Sequence, residues 1–339
     1  MKNLTHLGAF TGNSRDVING NFSILAGAMV GAYKQGRCYF VDGTTNVGSD
    51  YHAGTLEKPL KTIQGAVNVA SAYDTIIVKP KKITDFTGDP TSYAETIIIP
   101  ASKPHLSIVG LGNGACQGNL PQIKPATTTT ALLTIRAAGC TIANIGINGV
   151  NSTGGGILLD DDYSAKTAFG TVIAGCHFKN CVGTTATDCR TGGAIMWPAA
   201  GNAWQVLIVG NHFYKNVGGI VLKGTSNTAP QDVRIEGNRF LGTATSVDCH
   251  LYLAGGSGMS SVIVHENVFA CVLPALSSGS IVRYADLTGC TGTFSQNYFG
   301  GSYTTTGFGA GAAKAAAIIP TTVGLGHNYS DAGLIVREA

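Results

Sequence analysis

The sequence predicts a single-stranded parallel β-helix, an all-β solenoid, over residues 36–339. Three observations predict it. The first is a repeated tetrapeptide: GNHF (210–213), GNRF (237–240), ENVF (266–269), QNYF (296–299) and HNYS (327–330). Its asparagines, Asn211, Asn238, Asn267, Asn297 and Asn328, recur at intervals of 27, 29, 30 and 31 residues. Each segment closes a β-branched run of period two, such as VLIVGNHF or VRIEGNRF, and such runs at a fixed spacing mark stacked coils. The second is a further column of strand-like segments: GGILLD, GGAIMW, GGIVLK, CHLYLA, SIVRYA and AGLIVR, several of them opened by glycine pairs. The third is what is missing. Helical periodicity is scarce after about residue 75, while glycine (47 of 339 residues) and threonine are abundant, which disfavours helix.

The repeat carries its own physics. Asparagine tolerates the left-handed backbone of a sharp bend. Stacked asparagines also hydrogen-bond from rung to rung through their amides. Two residues on, Phe178, Phe213, Phe240, Phe269 and Phe299 form a column expected to stack inside the coil. An earlier member, GCHF (175–178), has Cys176 in the asparagine position. The intervening position holds His177, His212, Arg239, Val268, Tyr298 and Tyr329, a mixture that suits an outward site.

Residues 1–35 do not share the repeat and read as a short N-terminal arm or helix for a subunit or particle contact, with Ile18, Phe22, Leu25 and Met29 at helix-compatible spacing. Residues 38–100 contain an opening strand ending in VDG, a Gly-Thr…Lys-Pro-Leu-Lys-Thr-Ile segment, a short amphipathic helix TIQGAVNVASA, and strands TIIV and YAETIII. This stretch resembles the start of parallel β-helices of the pectin-lyase-like group. The resemblance implies a right-handed coil and a helix that caps the open N-terminal end, where strand edges need cover. It is silent on function, because the fold hosts lyases, hydrolases, viral spikes and structural proteins alike. Residues 101–150 continue the coils, and 300–320 is a looser, Gly/Ala-rich stretch.

Composition removes several function classes. A formal charge of +3, scattered along the chain, gives no case for nucleic acid. No apolar run approaches the length of a membrane span. Charged residues make up 12% of the chain, about half the usual share of ~25%, so much surface is expected to be covered by partners. Nine cysteines without a CxxC pair read as buried thiols rather than a disulfide framework. The opening MKNLTHLGAFTGNSRDVINGNF lacks an apolar leader core, so synthesis in a reducing cytoplasm is expected.

Glycan cleavage by such a fold needs two facing carboxylates, or a carboxylate–metal set with a base. The densest acidic run is Asp160-Asp161-Asp162, at the end of a strand. Its equivalents one coil on are Trp197 and then Lys223, so no second carboxylate stacks there. If there is chemistry, Asp160, Asp161, Lys223 and Arg283 are its candidates, with a basic group as proton acceptor. Trp197 and Tyr284 are candidate sugar-stacking aromatics in the same column. Leu158, Ile195, Val221, Tyr252 and Val282 read as an apolar stripe; an outward apolar stripe marks a partner surface, here a homotrimer interface, although an inward orientation is the alternative. His177 and His212 stack without a third ligand. No metal site and no cofactor are expected.

Two functions compete on these grounds. The INGNF opening resembles short N-terminal segments of phage tail and head-associated proteins. With no leader and no catalytic pair, it implies a structural virion protein of a tailed bacteriophage, a capsid decoration (cement) or small spike protein. Such a protein would be a homotrimer seated on a major capsid or tail protein. The alternative is a tailspike-type depolymerase or lyase acting on a bacterial surface glycan.

Overall fold

A computed structural model describes residues 36–81, 92–112, 120–127, 129–150, 152–160, 168–185, 188–198, 203–223, 230–242, 249–255, 257–271, 283–301, 317–330 and 333–335. The expected N-terminal arm lies outside them. The chain is a parallel β-solenoid that visits three sheets in turn on each coil. The first sheet runs from Cys38–Val41 to Val323–Leu325, the second from Tyr93–Ala94 to Asn328–Ser330, and the third from Ile97–Ile99 to Ala317–Ile318. All named strand pairs are parallel except the last: Gly333–Ile335 turns back antiparallel on Asn328–Ser330 and covers the edge of the second sheet. AGLIVR therefore does not continue the third-sheet column as its sequence suggests.

Five successive first-to-second-sheet corners, from Gly175 to Gln296, are built the same way. The left-handed residue is the one before the asparagine, or before Cys176 in the first: Gly175, Gly210, Gly237, Glu266 and Gln296 have φ between 54° and 63°. This corrects the sequence expectation, which gave that conformation to the asparagines. The asparagines instead satisfy the backbone of the bend. Asn267 Oδ1 accepts from the backbone N–H and the Nδ2 of Asn238, both at 3.0 Å. Asn267 Nδ2 in turn donates to Asn297 Oδ1 and to the carbonyl of Ile235. The pattern repeats from Cys176 to Asn328, so turn amides that would be buried and unpaired find partners. Asn216 does the same at the next corner, accepting from the N–H of Cys181 and donating to the carbonyl of Phe178.

Inside the coil the five phenylalanine rings stack with centroids 4.5–5.0 Å apart and planes within 9° of parallel. All are buried, and each contributes about 1.5–3 kcal/mol by leaving water. A third-sheet column packs beside them: Ala194, Gly219, His250 and Tyr284 occupy successive rungs. A Cβ on Gly219 would come within 3.0 Å of the Phe240 ring and 2.3 Å of the His250 carbonyl, so glycine is dictated by space here.

The helix Ile63–Val69, here α1, closes the N-terminal end and buries Ile63, Ala66 and Val67. Thr62 caps it by accepting from the Gly65 N–H at 2.9 Å. The Glu95 carboxylate, on a separate coil, receives the N–H groups of Ile63 and Gln64 at 3.1 and 2.9 Å. At the other end Lys103 Nζ donates to the carbonyls of Val67, Asn68 and Ala70. Both charges complement the helix dipole.

Candidate functional site

The described candidate residues lie on third-sheet strands or just after them, and the register sorts them into an inner and an outer set. Ile157 pairs with Ile195, Ile195 with Ile220, and Ile220 with Leu251; this is an inward column, and Ile195 is fully buried in the main core. The outward column is Leu158, Met196, Val221, Tyr252 and Asp286. The proposed stripe was thus one residue out of register at Ile195, because side chains alternate and a one-residue slip changes face. Val282 lies outside the described residues.

Trp197 and Tyr284 are corrected in the same way. Trp197 pairs with Leu222, is fully buried, and donates from Nε1 to the carbonyl of Ala203 at 3.1 Å. Tyr284 is 1% exposed, lies against Phe299, and donates from its hydroxyl to the Gly300 carbonyl. Both rings fill the solenoid and neither is presented to a sugar. The register sets Trp197 beside Leu222 and Tyr284 beside His250, both inside the coil. The partner of Cys249 is Arg283.

The outer face of the third sheet has a cover that the sequence reading missed. A short 3₁₀ turn, Cys189–Thr191, lies over it and buries Met196, Val221 and Cys249 in a satellite cluster with Cys189 and Ala131. Leu158 and Tyr252 remain half-buried at its rim. The strap is held in shape by Asp188, which accepts from the Arg190 N–H and pairs with its guanidinium at 2.8 Å; that pairing holds the Asp188 carboxyl below its ordinary pKa. The available signal was the long connection after Lys179, with Cys189 inside it, beside an outward column too apolar to stay wet.

Asp160 stands on the rung above Arg136 and is paired to its Nε at 2.8 Å. Lys223 follows Leu222, two rungs above Asp160 by register, and burial holds its ammonium below the ordinary lysine value. Asp161 lies outside the described residues. Arg283 is placed by its backbone alone. Most other described carboxylates are equally occupied: Asp42 by Lys79, Asp50 by Thr62, Asp74 by the N–H groups of Arg37 and Ser71, Glu95 by α1, Glu236 by Arg234 and Asp286 by Thr288. Among the described residues no cluster of metal-ligating groups occurs, and no helix is long and apolar enough to cross a membrane.

No protein-family model matches the sequence, and neither does any curated protein. Among solved structures the chain is similar to PfbA, a surface adhesin of Streptococcus pneumoniae. That match has 12% identity and a TM-score of 0.39, over 77% of this chain and 67% of that one. It is also similar to the GH136 lacto-N-biosidase of Eubacterium ramulus, with 14% identity and a TM-score of 0.30, over 91% of this chain and 69% of that one. A rhamnogalacturonan lyase matches with 14% identity and a TM-score of 0.29, over 87% of this chain and 62% of the lyase. The neighbours are thus a surface adhesin and two carbohydrate-acting enzymes. At such values the likeness concerns the solenoid and assigns no activity.

Proposed function

We propose that this chain is a structural virion protein of a tailed bacteriophage, a capsid decoration or small spike protein. It assembles as a homotrimer on a major capsid or tail protein and cleaves no glycan. The observation that carries the reading is the occupation of most of the described carboxylates. Asp160 is neutralised by Arg136, and the others named above serve caps, turns and ion pairs. A carboxylate committed in this way is a poor acid, base or nucleophile. The half-exposed Leu158 and Tyr252, at the rim of the strap, are the remaining apolar part of the outer face and the proposed subunit contact.

One observation favours the polysaccharide-cleaving alternative. Lys223 is a half-buried amine with a lowered pKa, two rungs from a carboxylate, which is the kind of group that accepts a proton. A single experiment separates the two. The purified protein is sedimented at micromolar concentration, then incubated with host capsular polysaccharide while reducing ends and unsaturated-uronate absorbance are followed. A three-chain species with no turnover is the expected result. Turnover lost in both Lys223→Ala and Asp160→Asn would establish the enzyme instead, and a sharp monomer would remove the intrinsic trimer.

A further inference from the structure

The strap over the third sheet carries one cysteine and sets it against another in the sheet wall. Cys189 is the buried residue of the strap. It shares the satellite cluster with Cys249, Met196, Val221 and Ala131. A Cβ on Gly218 would stand 3.1 Å from the Cβ of Cys189. Gly218 pairs in register with Cys249 on the next rung, about 4.8 Å on. The two cysteine Cβ atoms are therefore no more than about 8 Å apart. A disulfide holds such atoms about 3.8 Å apart. Both residues are thiols in this structure, and both lie within electrostatic reach of the Tyr252 phenol at the rim of the cluster.

The strap, and not the wall, is the part that can close this distance. Asp188 accepts from the Arg190 N–H, the Thr191 hydroxyl donates to the Asp188 carbonyl, and the Thr185 N–H donates to that hydroxyl. These bonds close the strap on itself, so it can shift by a few ångströms without breaking them. What it sets against the wall is the apolar contact of Cys189. Cys249 is fixed by comparison, paired with Gly218 on one side and Arg283 on the other. Cys176 and Cys181 differ from this pair. They are sealed in coil corners, where burial pushes each thiol up to about 12, and a thiol held that high supplies almost no thiolate.

We infer that Cys189 and Cys249 form a redox latch, which fixes the strap over the apolar column when the protein meets a low-molecular-weight disulfide. The Cys189 thiolate attacks one sulfur of that oxidant, releases the other as a thiol, and is left in a mixed disulfide. The Cys249 thiolate then attacks Cys189 Sγ and releases the second small thiol. Two protein S–H bonds are exchanged for one S–S bond. The oxidant is reduced to two thiols, and the two protons pass through solvent to the thiolates released. Closed, the latch keeps Met196 and Val221 covered. Reduced, it lets the strap lift and bare an apolar surface of the kind that partners cover. The inference goes beyond the proposed function and does not depend on the assignment to a virion.

The test is incubation of the reduced full chain with oxidised glutathione, followed by maleimide quenching and peptide mapping. A cross-link joining the Cys189 and Cys249 peptides is expected. It should form equally in Cys38→Ser, which removes an exposed thiol, and be absent from Cys249→Ser. The Arg190 side chain is 66% exposed in the strap, so trypsin cleavage after it reports how readily the strap lifts. Cleavage should slow at least tenfold on oxidation and recover its rate when a thiol reductant is added. In Cys249→Ser oxidation should leave the rate unchanged. Circular dichroism establishes that this variant is folded, and mapping of the unaltered chain does not depend on it. No Cys189–Cys249 cross-link in the unaltered chain, glutathione retained on Cys189, another partner for Cys189, or an unchanged cleavage rate in the cross-linked chain would each overturn the latch. These readouts are separate from the sedimentation and turnover that test the proposed function.

Discussion

Asn238 accepts two hydrogen bonds from Asn211 and donates to Asn267 and to the carbonyl of Ile208. In Asn238→Ala the buried Asn211 N–H and Ile208 carbonyl lose those partners, at about 1–3 kcal/mol each. Denaturant unfolding should read that loss, whereas Asn148→Ala, on the outer face, should cost little. His250 is the other informative residue. It sits among Phe240, Phe269 and Tyr284, keeps a backbone hydrogen bond to Ala270, and has no partner at Nε2. Burial pushes its pKa down to about 3 from the ordinary 6.5. The unfolded chain therefore binds the proton first. The stability tied to this group is complete above about pH 6.5 and is lost as the pH falls toward 3, with a limiting slope of about 1.4 kcal/mol per unit. A pH series of melts should show this loss, and His250→Leu should remove that component. An unchanged acid limb in the leucine variant would show that other groups carry it.

At the scale of elements, α1 is short, at seven residues, and helices of that length owe their stability to packing and caps. Besides the local cap Thr62 it is held from other coils, by Glu95 at one end and Lys103 at the other. Glu95→Ala should cost about 1–2 kcal/mol, while Glu95→Gln, which keeps one acceptor oxygen, should cost less. The loss should be local, because coils contact only their neighbours. Hydrogen exchange should accelerate in Thr75–Val78, beside α1, and stay unchanged in Val262–His265. Equal acceleration in both strands would mean that the solenoid opens as one unit. The 3₁₀ strap is the second telling element. It covers an apolar column that would otherwise be exposed, so that column cannot serve whole as a subunit contact.

At the scale of the molecule, one solenoid presents differently composed faces. The third sheet is apolar beneath its strap, and the second is basic and aromatic. The interior is continuous from Val41 at the capped end to Val323, so the faces are held in fixed relation.

The sequence by itself determined the solenoid, the Asn and Phe rungs and the helix that caps the stack. These are written as spacing, and spacing survives in one dimension. It did not determine which third-sheet residues face out. The coil lengths vary there, and an error of one residue exchanges the faces, as it did for Ile195 and Trp197; Tyr284 stands beside His250 rather than Ala254. Only the tertiary structure decided that register, the strap over Met196 and Val221, and the pairing of Asp160 with Arg136. Each depends on contacts between residues far apart in the chain whose meeting is set by backbone hydrogen bonds between coils, and no local pattern records those bonds.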